Sequence, residues 1–177
     1  TTDGGQSWTE KYHPGQLQGF EAFVFNNIYF TSPQTGYFVG LDFWSADYLI
    51  LRTIDGGDSW SSFTNEFGLN LGECNALDFP TASTGYVGGD FGRVFKTTNA
   101  GGSWQILSTP GGVNDQIRDV DFVDAQTGFM VDQSQKLFKT TNGGSSWQTI
   151  NLPDYFQSIQ FFSPQIGIAG GYTGVYK

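Results

Sequence analysis

The sequence predicts an all-β fold, a β-propeller of four-stranded antiparallel blades with four repeats visible. Two observations carry this and a third supports it. The phrase T-x-[D/N]-x-G-x-S-W occurs four times, as TTDGGQSW at Thr1–Trp8, TIDGGDSW at Thr53–Trp60, TTNAGGSW at Thr97–Trp104 and TTNGGSSW at Thr140–Trp147. Self-similarity on a period of about 40–50 residues marks a repeat architecture. A second phrase sits in the same frame: NNIYFTSPQTGYFVG from Asn26, NALDFPTASTGYVGG from Asn75, RDVDFVDAQTGFMVD from Arg118 and QSIQFFSPQIGIAGG from Gln157. No window sustains a 3.6-residue apolar period, and 17% aromatic residues with 25 glycines suit many short strands joined by tight turns.

The elements of a blade follow in order. Ile28/Phe30, Leu77/Phe79, Val120/Phe122 and Ile159/Phe161 alternate with polar positions and define a first strand. Gly36, Gly85, Gly128 and Gly167 close a turn after it. Second strands are expected at 37–40, 86–88, 129–131 and 168–170, and third strands at 48–53, 93–97, 136–140 and 174–177. The box then turns the chain, and a fourth strand is expected from Trp8, Trp60, Trp104 and Trp147. Four such strands per repeat make a propeller blade. The units run over about 13–64, 65–108 and 109–151, and 152–177 joins 1–12 in a shared closing blade. A closed four-blade ring and four blades of a larger propeller both fit this phasing.

The box residues read as hairpin corners. Asp3, Asp55, Asn99 and Asn142 can accept backbone N–H bonds, and Gly5, Gly57, Gly101 and Gly144 tolerate a left-handed backbone. Trp8, Trp60, Trp104 and Trp147 each anchor a blade core. Asn replaces Asp in two of the four boxes, which speaks against catalytic or metal-binding carboxylates there.

These boxes resemble the Asp-box of bacterial neuraminidase (BNR) repeats. The longer unit, F-x-x-x-x-T-G-[Y/F] followed by G-x-V-[F/Y]-K-T-T-[D/N]-G-G-x-S-W, is most similar to the photosystem II assembly-factor propellers and their secreted bacterial relatives. The resemblance implies a non-enzymatic, protein-binding propeller, usually of more than four blades. The photosynthetic members carry an arginine patch for their partner, whereas this chain has only Arg52, Arg93 and Arg118.

Bulk properties restrict the function. A net charge of −9 opposes binding to nucleic acid or to an anionic membrane surface. No apolar run approaches the roughly 18–20 residues that span a bilayer. Cys74 is the single cysteine, which excludes a multi-cysteine metal site; His13, the single histidine, has no identifiable nucleophile or metal partner, and no cofactor motif occurs. Asp78 and Asp121 share one inner-strand slot and Asp119 lies two residues earlier, which leaves a glycosidase pair or a cation site as alternatives.

Strand alternation puts the boxes and the T-G turns on one face, and the blade links and second-to-third strand loops on the other. That second face varies in length and sequence, so it is the candidate binding face. Its candidates are Phe43, Trp44, Asp47, Phe91, Tyr155 and Tyr172. Trp44 is the tryptophan outside the boxes and lies in an insertion, LDFWSAD, that the other units lack. The insertion either anchors a partner or packs over a neighbouring blade. The expectation is a non-enzymatic module, extracellular, periplasmic or on a cell surface, that binds another protein within a larger protein or complex. The alternative is a carbohydrate-binding module or a fragment of a glycoside-processing enzyme.

Overall fold

The computed structural model describes residues 1–10, 23–42, 47–63, 72–109 and 115–177. They form four antiparallel sheets arranged as propeller blades. The first contains β1 (Phe23–Phe30), β2 (Gly36–Asp42), β3 (Asp47–Thr53) and β4 (Ser61–Phe63) in sequential order. The second contains β5 (Cys74–Asp78), β6 (Gly85–Gly89), β7 (Val94–Thr97) and β8 (Gln105–Leu107). The third contains β9 (Ile117–Phe122), β10 (Gly128–Asp132), β11 (Lys136–Thr140) and β12 (Gln148–Asn151). The last has three strands, β13 (Phe156–Ser163), β14 (Ile166–Gly171) and β15 (Val175–Tyr176).

The registers coincide between blades. Tyr37 pairs with Arg52, Tyr86 with Lys96 and Phe129 with Lys139, so Arg52 takes the slot that lysine fills elsewhere. The expected second and third strands are present, β11 with the expected bounds and the others extended or trimmed by a residue or two. Residues 1–10 contain the first box turn and no strand, and the rest of the fourth strand expected from Trp8 lies outside the described residues. A strand needs a neighbour for its backbone N–H and C=O groups, and among the described residues none pairs with 8–10.

The core lies between blades, not within one. The second strands of the first three blades each present an aromatic ring that stacks on the Phe at the first strand of the next blade. Tyr37 lies 4.1 Å from Phe79, Tyr86 3.6 Å from Phe122, and Phe129 3.5 Å from Phe161, with interplanar angles of 19°, 7° and 4°. Box tryptophans close two of these stacks edge-on, Trp104 against Phe79 and Trp147 against Phe122, both at 84°. The T-G glycine is required by the same packing, because a Cβ on Gly128 would enter the Phe122 ring. Cys74 is wholly buried in the core between the first two blades, and burial pushes its thiol pKa far up. That fits a small core residue and opposes a nucleophile.

Candidate functional site

The boxes are mechanical parts. In the second box, Gly57 N–H donates to Thr53 Oγ1 at 2.9 Å, and Ser59 donates to Asp55 through its N–H at 2.9 Å and its hydroxyl at 2.5 Å. Gly57 sits at φ +96°, a conformation that strains residues with a Cβ. Asn99 and Asn142 accept the corresponding N–H bonds of Ser103 and Ser146, each at 2.9 Å. Donation from Ser59 holds the Asp55 pKa down at about 2, and the Ser7 hydroxyl depresses Asp3 still further. Their lone pairs are committed to the turn, and an amide serves as well as a carboxylate.

The boxes also set the face. Gly56, Ala100 and Gly143 N–H groups bond the T-G turn carbonyls of Gln34, Ser83 and Gln126 at 2.9, 2.8 and 2.8 Å, which places boxes and T-G turns at the same end.

The inner-strand carboxylates form a ladder between blades. Asp78 and Asp121 occupy the same slot, opposite Tyr86 and Phe129, but on neighbouring blades and not across a channel. Asp78 accepts the N–H of Phe122 at 2.8 Å, Asp119 that of Ile159 at 2.8 Å, and Asp121 that of Phe161. Each thus ties its blade to the first strand of the next. Burial raises the Asp78 and Asp119 pKa values to about 6 against these bonds, and it raises that of Asp121 as well. Among the described residues, no group of three or more His, Cys, Asp and Glu is placed to hold a metal ion.

The opposite face is built from the second-to-third strand loops and the blade links, stitched together by backbone and carboxylate bonds. Gln133 N–H bonds Gln116 C=O at 3.0 Å, Leu152 N–H bonds Gln135 C=O at 2.8 Å and Tyr172 N–H bonds Tyr155 C=O at 3.3 Å. Asp115 receives the Ser134 hydroxyl at 2.5 Å and pairs with Lys136 at 3.3 Å. Asp154 accepts from Thr173 N–H and hydroxyl at 2.8 and 2.9 Å, and Thr173 N–H is the main reason its pKa is depressed. Asp90 receives Gln116 Nε2 at 2.6 Å and Glu73 N–H at 3.1 Å. These loops are therefore rigid mounts, and what they display matters.

Three of the candidates are displayed there. Phe91 is 44% exposed at φ +59°, with the Arg93 guanidinium 5.5 Å from its ring centroid. Tyr155 and Tyr172, 43% and 70% exposed, lie 5.9 Å apart as an aromatic pair. Phe91 borders a cavity of about 230 Å³ with Asp90, Gln116 and Gln133. Phe43 and Trp44 lie outside the described residues; Asp47 begins β3 on the same face. The bracing Gln116 and Asp154 were not singled out from sequence. The one signal for Asp154 was positional, because Asp115 and Asp154 each stand five residues before the first-strand residues Val120 and Ile159.

Fold and repeat together define BNR-type propeller blades. A family model described as "Photosynthesis system II assembly factor YCF48" matches residues 103–173. Among solved structures, YCF48 bound to D1 peptide matches with a TM-score of 0.66 at 19% identity, covering 85% of this chain and 48% of that one. YCF48 from Cyanidioschyzon merolae matches with a TM-score of 0.67 at 16% identity, covering 94% and 53%. The GH74 enzyme of Niastella koreensis matches with a TM-score of 0.65 at 18% identity, covering 85% and 26%. No curated protein sequence matches the chain. The chain thus shares the propeller-blade fold of these structures and resembles the YCF48 family model over residues 103–173, and it spans about half the length of the YCF48 structures it matches.

Proposed function

We propose that these blades form a non-enzymatic protein-binding module, which holds a segment of another protein against the loop face as part of a larger protein or complex. The carrying observation is the display of Phe91, Tyr155 and Tyr172 on loops braced by buried and hydrogen-bonded carboxylates. Rigid aromatic side chains offer large contact area at low entropic cost, the usual make-up of an interface anchor. Glu73, Asp90, Asp115, Asp132 and Asp154 outnumber Arg93 and Lys136 on this face, which favours a neutral or basic partner. The match to a YCF48 structure bound to a peptide supports the same reading. A secreted or surface location accords with the Gly-, Thr-, Ser- and Asn-rich composition.

A second reading rests on the Phe91 cavity. An aromatic ring flanked by Gln116, Gln133 and Asp90 could also seat a sugar, and the likeness to GH74 propellers keeps that class in view. Partner capture from the native source, compared between the wild type, Phe91→Ala and Tyr155→Ala/Tyr172→Ala, tests the proposal. Loss of the captured protein with unchanged melting supports it. Undiminished capture by both variants sinks it, and binding only on a glycan array transfers the site to the second reading.

A further inference from the structure

We infer that the cavity beside Phe91 seats a lysine side chain of the partner, a step that rests on the loop-face reading above and names the chemistry it recognises. The site is built from three stretches of chain: the loop of the second blade and the links that precede β5 and β9. Asp90 N–H bonds Glu73 C=O at 2.9 Å, and Glu73 N–H returns to Asp90 Oδ2 at 3.1 Å. Gln116 Nε2 bonds Asp90 Oδ1 at 2.6 Å. Gly92 N–H donates to Asp115 C=O, and the Thr109 hydroxyl donates to Gly92 C=O.

These bonds hold Phe91 at φ +59°, in the left-handed region that an aromatic residue rarely adopts. Such strain persists only where the surroundings impose it, and it gathers at binding sites. Gly72, itself at φ +71°, leaves the space for this arrangement. A Cβ there would lie 2.6 Å from Asp90 Cβ and 2.9 Å from Phe91 Cε2.

The cavity of about 230 Å³ is lined by Asp90, Phe91, Gln116 and Gln133. It lies below the roughly 300 Å³ at which small-molecule pockets begin, so it suits one side chain of a larger partner. Its one charged lining residue, Asp90, is negative. Among the described residues, Asp90 Oδ2 accepts one N–H, from Glu73, and a second lone pair remains. Gln116 commits Nε2 to Asp90, which leaves its Oε1 to accept. A negative charge beside further acceptors calls for a cationic donor, and a neutral sugar gains little from Asp90 and Glu73. Arg93 selects lysine over arginine. Its guanidinium already lies 5.5 Å from the Phe91 ring centroid, so a second guanidinium stacked on that ring meets like charge. A lysine lays its apolar stem along Phe91 and carries a compact ammonium with three donors past it.

The 177-residue chain, labelled with 15N, is titrated by NMR with the peptide acetyl-GAKAG-amide and with its norleucine, Nε-acetyl-lysine and arginine counterparts. The expected result is that the lysine peptide shifts the side-chain amides of Gln116 and Gln133. The norleucine and acetyl-lysine peptides bind at least ~10-fold more weakly, the loss expected when a charge-assisted hydrogen bond is removed. Arginine is also weaker than lysine, and Asp90→Asn abolishes the preference. Because Asp90 also braces the loop, Gln133→Glu is the second variant. It leaves the bond from Gln133 N–H to Gln116 C=O in place and tightens lysine binding ~3-fold, as one added exposed ion pair does. Amides that stay unshifted at ~10 mM lysine peptide, ten times the ~1 mM Kd of a weak specific contact, overturn the inference. So do equal shifts from the norleucine peptide, or shifts caused by methyl β-glucoside and not by the lysine peptide. If the lysine peptide fails while partner capture still depends on Phe91, the lysine seat falls and the loop-face reading stands.

Discussion

Replacing Asp78 by Asn should stabilise the protein at neutral pH, and the effect should fade as the solution is acidified. The Asp78 carboxylate accepts the Phe122 N–H across the blade boundary, a bond that an Asn carbonyl can keep. What the substitution removes is the burial of charge, the main cause of a pKa raised from 3.8 to about 6, with Asp121 and Asp119 adding repulsion. Because the folded form holds the proton more tightly, stability is greatest below the unfolded pKa of 3.8 and is lost as pH rises through about 6. A shift of that size corresponds to about 3 kcal/mol at pH 7, an upper value because the native state can admit water. Urea unfolding followed by tryptophan fluorescence between pH 4.5 and 7.5 measures it. The wild type should lose stability over this range, and Asp78→Asn should lose less, with a gain of about 1–3 kcal/mol at pH 7. Equal destabilisation by Asp78→Asn at both ends of the range would refute the ladder's cost. So would a wild type that grows more stable from pH 5 to 7.

Other outcomes follow from the same contacts. Trp104→Ala should cost about 3–5 kcal/mol in chemical denaturation, the range for a buried aromatic removed from a core. Gly128→Ala should cost about 1–3 kcal/mol, because the new methyl group drives the Phe122 ring out of its stack with Tyr86. Asp55→Asn should leave the fold and the melting profile near neutral pH almost unchanged, since two boxes already use Asn; collapse of the hairpin would contradict the interchangeability of the two residues. Below pH 3.8 the wild type should begin to lose what Asp55 contributes, because its folded pKa lies near 2, and Asp55→Asn should show a shallower acid limb.

The repeat made most of the fold legible before any coordinate. Phe79 and Phe122, the T-G glycines and the box tryptophans recur because each blade solves the same packing problem, and the structure places Trp104 and Trp147 in equivalent contacts. Trp8 marks the limit. Its box closes from local hydrogen bonds alone, but a strand after it needs a partner that the motif cannot supply. The loop face was legible as a location and only partly as chemistry. Phe91, Tyr155 and Tyr172 stood out as aromatics off the repeat. The bonds that brace them, from Asp115 to Ser134 and from Asp154 to Thr173, join residues 19 apart whose pairing depends on how a link folds over a loop. Likewise the Asp78 slot was visible in the alignment, whereas its backbone partner on the next blade was not.

On the proposed function, the boxes build the blades and the loop face holds the partner. Hydrogen exchange of the chain, alone and with its captured partner, tests this most directly. The expected result is new protection at 90–93, 133–135 and 171–174, with the box amides at 55–60, 99–104 and 142–147 unchanged. Protection confined to the boxes and T-G turns, with the loop amides exchanging as before, would contradict it.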